Sequence, residues 1–277
     1  METKKIQKLA DSHVHTDLSH DCRSTPMEQC QAAVANGISV ITFTNHCDVS
    51  FCRWEHNCDN VNATARQARE MNEIMGGRLE VIAGVEIGDG GWNPKMARYA
   101  ASLDVDSVLG SVHTVAYKHY STPLSVLNFR GWDKESLDDF MEEYLNEVEE
   151  LIDACEINVL AHLTVPLKYI NGKCGNGYTL ESFEERIARI LGEIIERNIA
   201  LEVNTSAYAA LSAPVPDYGI LKMYRELGGE LITLASDAHT PAAVGTNFLR
   251  SLSELKALGF DKYHYVKNRR FVPVEII

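Results

Sequence analysis

Histidine and carboxylate side chains recur in this chain at the ends of short apolar runs. Five of the ten histidines and two acidic residues stand there, namely His13, His15, His46, His113, His162, Glu86 and Asp237. His20, Asp21 and His239 lie a few residues further along. Neutral imidazole and carboxylate are the usual ligands of zinc, manganese and iron. The candidate ligands are too many for one ion, so the sequence predicts two or three divalent metal ions.

The spacing of these residues indicates how they share the ions. His13 and His15 are two residues apart at a strand end, so both side chains point to the same face and can reach one ion. Asp237 and His239 repeat this spacing with a mixed pair. Glu86 has two carboxylate oxygens with which it can bridge two ions. Clustered ions can bind a hydroxide nucleophile and clamp the oxygens of a phosphate ester.

The apolar runs that precede these residues are rich in β-branched side chains. They are Ile38–Thr44, Leu79–Val85, Val105–Gly110, Ile157–Ala161, Ile199–Val203 and Leu231–Ala235, with weaker candidates at Lys8–Asp11 and His264–Lys267. The runs are almost continuously apolar, which is typical of parallel strands that are buried on both faces. The sequence therefore predicts a mainly parallel sheet.

Segments with helical periodicity lie between the runs. The clearest are Pro26–Asn36, Lys134–Cys155, Leu180–Asn198 and Ile220–Leu227. Strand and helix alternate about seven times, which predicts a parallel α/β fold, most simply a barrel whose strands converge on one mouth at their carboxyl ends. We expect a single domain over residues 1–277, with long irregular loops at 46–62 and 113–133.

Composition excludes several classes of protein. The chain has 277 residues and a net charge of −13, which disfavours a nucleic-acid partner. No apolar stretch approaches the roughly 18 residues that a membrane span needs, so we expect no membrane partner. The seven scattered cysteines suit reduced thiols, and no signal peptide is evident. We therefore expect a cytoplasmic protein, and its small phosphorylated substrate is implied only by the resemblance described next.

The order of the motifs resembles that of a known superfamily. The motifs are HVH at 13–15, TNH at 44–46, GVE at 84–86, GSVH at 110–113, AH at 161–162 and SDAH at 236–239. Together they resemble the polymerase-and-histidinol-phosphatase (PHP) superfamily, and Leu201–Phe248 is similar to its histidinol-phosphate phosphatase branch. The resemblance implies a distorted (β/α)7 TIM-like barrel with a trinuclear metal site.

The resemblance also implies three sets of metal ligands. The ligands of the first metal are His13, His15, Glu86 and Asp237. Those of the second metal are Glu86, His113 and His162. Those of the third metal are His46, His239 and Asp21, with His20 as the alternative to Asp21.

The activity that the resemblance implies is hydrolysis of L-histidinol phosphate to L-histidinol and phosphate, a step of histidine biosynthesis. A metal-bound hydroxide attacks phosphorus, and catalytic roles fall to Glu86, Asp237, His46 and His239. Either His46 or His239 protonates the leaving alkoxide. The alternatives are another phosphoester (a nucleotide, a sugar phosphate or phosphotyrosine), deaminase or amidase chemistry, and a non-catalytic metal-binding module.

Substrate contacts are expected from Lys168, His113 and Asn204. The branch commonly has Arg near position 168, and lysine supplies a point charge in place of a bidentate group, so we expect a weaker contact with phosphate. The second motif has Asn45 where Asp is commoner. We expect this change to remove a carboxylate that would orient a ligand histidine.

Overall fold

The computed structural model describes residues 7–50, 54–118 and 120–277. The strands in these ranges are β1 (Leu9–Val14), β2 (Ile38–Phe43), β3 (Glu80–Gly88), β4 (Ser107–Ser111), β5 (Thr114–Tyr117), β6 (Tyr120–Pro123), β7 (Val159–Leu160), β8 (Ala200–Asn204), β9 (Ile232–Ala235), β10 (Lys262–Lys267) and β11 (Arg270–Glu275). The α-helices are α1 (Pro26–Ala35), α2 (Trp54–Met75), α3 (Pro94–Ala101), α4 (Lys134–Ala154), α5 (Glu184–Glu196), α6 (Tyr208–Leu211), α7 (Tyr218–Glu226) and α8 (Phe248–Ala257).

Nine of the described strands form one sheet, in the order β1-β2-β3-β4-β7-β8-β9-β10-β11. Neighbouring strands from β1 to β10 are parallel, and β10 and β11 pair as an antiparallel hairpin. The apolar runs are continuous because the strands are covered on both faces, and all six residues of β1 are buried. The prediction of a mainly parallel α/β sheet is confirmed.

The first strand meets the chain that follows β9. The Asp237 amide donates to the His13 carbonyl at 2.9 Å, and the His15 amide donates to the Ala238 carbonyl at 3.0 Å. These bonds bring the carboxyl end of β1 beside that of β9, although the two strands lie far apart in the order of the sheet. As a result, residues from both ends of the chain reach the same site.

Two of the sequence-based boundaries are wrong in an informative way. β1 continues through His13 to Val14, and β3 continues through Glu86 to Gly88, so both ligand candidates lie inside strands. A buried polar residue interrupts an apolar run without ending the strand, which makes the run look shorter than the element. The helix expected at Leu180–Asn198 is confirmed. It consists of a 3₁₀ turn over Glu181–Phe183 that leads directly into α5.

The two segments expected to be irregular contain regular structure. Residues 51–53 lie outside the described ranges, but α2 begins at Trp54, inside the predicted loop 46–62. Among the residues of α2 whose burial is described, the buried apolar stripe comprises Val61, Ala65, Ala68, Met71 and Met75. The other segment holds the antiparallel hairpin of β5 and β6.

Helix α4 packs behind the end of β3. Asp133 caps it by accepting a hydrogen bond from the Ser136 amide, and its predicted apolar stripe is buried. Gly90, just beyond β3, lies so close to the helix that an added Cβ would be 2.8 Å from Leu151 Cδ1. This contact fixes the segment that leads out of the strand bearing Glu86.

Glu147 of α4 accepts a 2.7 Å hydrogen bond from Trp92 Nε1. Burial raises the pKa of this carboxyl from 4.5 to about 7, and the Trp92 bond only partly opposes the shift. Because the unfolded chain has the lower pKa, ionisation removes stability as the pH rises through this interval. We expect Glu147→Gln to raise the Tm at about pH 8, by about 2–4 °C for each kcal/mol of unfolding free energy that the substitution restores. At about pH 4 the Tm should stay unchanged, because the glutamate is then protonated. Thermal unfolding at the two pH values measures both effects.

The control for this substitution is Glu143→Gln, because Glu143 is exposed on the same helix. It should shift the Tm at neither pH. An equal gain for Glu147→Gln at both pH values would contradict an origin in ionisation.

Candidate metal centre

The carboxylate of Glu86 lies at the centre of a cluster of imidazoles and is 1% exposed. Its Oε2 is 2.9 Å from His46 Nδ1 and 3.3 Å from His13 Nε2. Its Oε1 is 3.0 Å from His162 Nε2 and 3.2 Å from His113 Nε2. Each oxygen therefore faces a different pair of histidines, which is the geometry of a carboxylate shared between two ligand groups.

The first corner of the cluster joins the two ends of the chain. His13 Nε2 and His15 Nε2 are 3.0 Å apart. Asp237 Oδ1 lies 3.3 Å from His15 Nε2 and 3.8 Å from His13 Nε2. With Glu86 Oε2, two nitrogens and two oxygens face one point, and such a set suits a four-coordinate divalent ion.

The second corner consists of Glu86 Oε1, His113 and His162, at the distances given above. The third corner forms around Asp21. Its Oδ1 is 3.5 Å from His46 Nε2, and its Oδ2 is 3.2 Å from His239 Nε2. His20 also lies here, with its ring centroid 5.2 Å from that of His46, and it is exposed. Asp21 has an oxygen near each of the two histidines, so the geometry favours Asp21 over His20. The structure brings all ten candidate ligands into one cluster.

Several atoms of this cluster are buried and make no hydrogen bond to any described residue. They are Glu86 Oε2, His46 Nδ1, His162 Nδ1 and His239 Nε2. A buried polar atom without a partner costs free energy, and a cation supplies the partner that Glu86 Oε2 and His239 Nε2 lack. The donor set of imidazoles and carboxylates thus fits divalent metal ions.

The carboxylates of the cluster are held in their ionised form. Burial alone would raise the pKa of Glu86, but the neighbouring His13, His113 and His46 outweigh it and hold that pKa well below its usual range. Burial opposes ionisation of Asp237 in the same way, and His13 again reverses the direction of the pKa shift. Both residues are therefore anionic ligands at neutral pH.

The imidazoles differ in their readiness to bind a cation. Burial lowers the pKa of His15 to about 3, with repulsion from His239 and His46 adding to the effect, so His15 is neutral. Burial also acts to lower the pKa of His46, but Glu86 and Asp48 outweigh it and raise that pKa to about 10. A cation that binds at His46 must displace a proton, which makes metal affinity increase with pH.

His15 is oriented through a chain of hydrogen bonds that includes Asn45. Its Nδ1 is 2.9 Å from Ser19 Oγ, and Ser19 Oγ donates to Asn45 Oδ1 at 2.9 Å. The same oxygen accepts from the Thr16 amide at 2.7 Å, and Asn45 Nδ2 donates to Thr64 Oγ1 at 3.1 Å. Asn45 carries no carboxylate, as the sequence analysis noted, but its amide oxygen fixes the serine behind His15.

Asp48 is a residue of the site that the sequence analysis missed. Its Oδ1 is 2.9 Å from His113 Nδ1, on the side of the ring opposite Glu86. A Cβ at Gly88 would lie 1.9 Å from Asp48 Oδ1 and 3.0 Å from His113 Nδ1, so only glycine leaves room for this pair. The two-residue spacing of His46 and Asp48 was the available signal.

Two ligand residues adopt left-handed backbone conformations. The φ angles are 29° for His162 and 52° for Asp237. Such conformations cost about 1–3 kcal/mol for residues other than glycine, and they persist where surrounding bonds enforce them. The amide of His162 donates to Glu202 Oε1, and that of Asp237 donates to the His13 carbonyl. Both turns are thus held by bonds to other parts of the site.

A cavity of about 660 Å³ opens over the cluster. Its lining includes the candidate ligand side chains and an apolar group formed by Pro123, Leu124, Val126, Val165 and Tyr169. Lys168 also lines the cavity, at the start of a π-helical turn over Lys168–Lys173. Its Nζ donates to Ser206 Oγ at 3.0 Å. The cavity therefore combines candidate metal ligands, the cationic side chain of Lys168 and a group of apolar side chains.

Asn204 is placed differently from the other predicted substrate contacts. His113 and Lys168 line the cavity, whereas Asn204 is fully buried and does not. Its Nδ2 donates to Glu202 Oε1 at 2.8 Å, and its Oδ1 accepts from the Ser206 amide at 3.0 Å. The structure corrects its predicted role, because Asn204 supports the site from behind.

The sequence of the chain matches a known family model over most of this site. The model describes the PHP domain and matches residues 11–206. The chain belongs to the PHP domain family. Within this PHP domain, the matched range includes His13, His15, Glu86, His113 and His162, while Asp237 and His239 lie beyond it.

Relatives of this PHP domain carry consistent names. A probable histidinol-phosphatase of Deinococcus radiodurans is 26% identical over 258 residues, which cover 91% of this chain and 94% of the relative. A probable histidinol-phosphatase of Thermotoga maritima is 30% identical over 139 residues, which cover 50% of this chain and 57% of the relative.

Solved structures show the same fold. A histidinol phosphate phosphatase of Lactococcus lactis, complexed with zinc, L-histidinol and phosphate, superposes with a TM-score of 0.73 at 20% identity, covering 96% of this PHP domain chain and 99% of that one. A putative histidinol phosphatase of Listeria monocytogenes superposes with a TM-score of 0.70 at 14% identity, covering 86% and 98% of the two chains. Among the described helices, none combines the length and apolar character that crossing a membrane requires.

The close approach at Gly88 makes a testable prediction about this PHP domain. In Gly88→Ala the new methyl group must displace Asp48 or the His113 ring. Loss of an outer partner of a ligand histidine typically weakens metal affinity about 10–100-fold. We expect a decrease of this size in zinc affinity, measured by titration against a competing chelator.

The matched control is Gly84→Ala on the same strand. Its added Cβ would approach only the methyl groups of Thr42 and Thr44 and the carbonyl of Phe43, at 2.9–3.0 Å. This substitution should lower the Tm and leave zinc affinity nearly unchanged. If both variants lose zinc affinity equally, the cause is general crowding of β3. Displacement of Asp48 would then not explain the loss.

Proposed function

We propose that this PHP domain is a metal-dependent phosphatase that hydrolyses L-histidinol phosphate to L-histidinol and phosphate. The observation that carries the proposal is the ligand cluster around Glu86, which opens into a cavity beside Lys168. The names of the relatives and the ligands of the Lactococcus lactis structure support the choice of substrate. The cavity has the size and the apolar wall that a small phosphorylated molecule requires.

We propose that the cluster binds two or three divalent ions of zinc, manganese or iron. The first corner has His13, His15, Glu86 and Asp237, the second has Glu86, His113 and His162, and the third has His46, His239 and Asp21. When bound, such ions lower the pKa of water and offset the negative charge on phosphoryl oxygens.

The residues of the chain position the substrate for hydrolysis. Lys168 binds a phosphate oxygen, because its Nζ lies at the cavity surface beside Ser206, close enough to Asp237 to help lower the pKa of that carboxyl. The oxygen of water bonds to phosphorus, the ester P–O bond breaks, and the leaving alkoxide takes a proton. His46 and His239 both line the cavity, and where two ions leave the third corner empty, either residue supplies this proton.

The apolar wall receives the organic part of the substrate. Leu124 and Val126 follow the β5–β6 hairpin, and Tyr169 lies on the π-helical turn. These side chains exclude water from one side of the cavity and offer surface to an imidazole ring. We further propose that residues 1–277 act as one domain, since one hydrophobic cluster joins the strands and helices. The reduced thiols of Cys22, Cys30, Cys155 and Cys174 suit the cytoplasm.

The first test is phosphate release from L-histidinol phosphate by protein loaded in turn with manganese, zinc and iron. Sugar phosphates, nucleotides and phosphotyrosine serve as the comparison panel. We expect kcat/KM for histidinol phosphate to exceed that for the panel on the order of a thousandfold, because a site built for one polar substrate rejects analogues strongly. Comparable activity on the panel would contradict the proposed substrate.

Two substitutions check the site in the same assay. Asp237→Ala and His15→Ala should abolish turnover and lower the amount of bound metal, because both remove a donor from the first corner. Full activity in either variant would overturn the ligand assignment.

A separate prediction concerns Lys168. Its charge contacts phosphate both before and during the reaction, so Lys168→Ala should raise KM about tenfold or more and change kcat less. Steady-state kinetics with histidinol phosphate measures both constants. Lys222→Ala is the control, since Lys222 is an exposed lysine of α7 outside the cavity and its loss changes the net charge equally. If the two variants have equal KM and kcat, Lys168 does not contact phosphate.

A further inference from the structure

Glu202 is a fully buried carboxylate in the middle of β8. It does not line the cavity, and it lies behind the ligand cluster. Its Oε2 is 2.7 Å from His13 Nδ1, the ring nitrogen that faces away from the other ligands. The opposite nitrogen, His13 Nε2, faces His15 and Glu86. One histidine thus connects Glu202 to the first corner of the metal centre.

The second oxygen of Glu202 has two donors. Oε1 accepts from the His162 amide at 3.1 Å and from Asn204 Nδ2 at 2.8 Å. Asn204 is itself fixed, because its Oδ1 accepts from the Ser206 amide. The carboxylate therefore cannot rotate without breaking its bonds to the His162 amide, which follows β7, and to Asn204 in β8. Each of its oxygens has one fixed set of partners.

A carboxylate without a proton only accepts hydrogen bonds. The ring nitrogen that faces such a carboxylate must carry a hydrogen. With a metal on Nε2, His13 would therefore carry its one ring proton on Nδ1, beside Glu202. Ser19 behind His15 is a neutral partner, because its hydroxyl donates to Asn45 Oδ1 and accepts from His15 Nδ1. Glu202 thus sets the tautomer directly, whereas Ser19 sets it only through its bond to Asn45.

We propose that Glu202 is a positioning residue, which holds His13 in the Nδ1-protonated tautomer through one oxygen and ties His13 to the His162 turn through the other. The proposal rests on the proposed function only in that His13 is a metal ligand. It assigns to one buried side chain the coupling between the first corner, which includes His13, and the second corner, which includes His162.

Glu202→Gln tests the proposal because it preserves the size of the side chain. The amide oxygen must take the position of Oε1, since both partners there are donors. The amide NH₂ then faces His13 Nδ1, which can accept only if the ring proton moves to Nε2. That tautomer has no lone pair for a metal, so we expect zinc affinity at this corner to fall about 10–100-fold.

Two readouts are needed, and neither depends on turnover. The first is zinc titration against a chelator. The second is the ring ¹H–¹⁵N NMR spectrum of the zinc-loaded protein, with the His13 signal assigned from His13→Gln. The wild type should show a proton on His13 Nδ1, and Glu202→Gln should lose it. Unchanged zinc affinity together with a retained Nδ1 proton would overturn the proposal.

The wild-type spectrum decides the matter if Glu202→Gln fails to fold. A ring proton on Nε2 of His13 in the zinc-loaded wild type would by itself contradict the proposal. Glu147→Gln provides the control for replacing a half-buried glutamate outside the site, and it should leave zinc affinity and the His13 signal unchanged. Hydrolysis of histidinol phosphate enters neither readout, so failure of the proposed substrate and failure of this inference are distinguishable.

Discussion

The site depends on one buried anion surrounded by imidazoles. Glu86 is almost completely inaccessible, and an ionised carboxylate in such a position is stable only when cations or donors compensate its charge. Five histidines approach its two oxygens, and they come from the end of β1, from the segments after β2 and β4, and from the turn after β7. The parallel sheet meets this requirement because it delivers all these elements to the same edge.

The outer bonds explain why the cluster keeps its form. Ligand histidines rest on different partners: a carboxylate for His13 and His113, a hydroxyl for His15 and a backbone carbonyl for His239. Each partner comes from a separate segment, so the cluster is part of the packing of the whole fold. The apolar lining of the cavity comes largely from the segment after the hairpin and from the π-helical turn. Most candidate ligands and most apolar lining residues are therefore supplied by different parts of the chain.

Much of this arrangement could be predicted from the sequence, because the motifs that contain the histidines and carboxylates lie at the ends of strands. The pair His13 and His15 and the isolated Glu86 were visible as polar residues beside apolar runs. Glu202 and Asn45 were not, since their roles depend on hydrogen bonds between distant segments, as in the 189-residue separation of His13 and Glu202. The start of α2 also escaped prediction, because most residues of its first two turns are polar or charged.

The bonds between the chain after β1 and the chain after β9 have a consequence for how the protein is made. His13 is synthesised well before Asp237, the residue whose amide donates to its carbonyl. A nascent chain that still lacks Asp237 cannot offer the complete first corner to an ion. On the proposed function, ions bind the assembled site and not its fragments, so their binding free energy would favour completion of the fold. The metal would then bind after Asp237 has been synthesised, and it would stabilise the contact between the segments after β1 and β9.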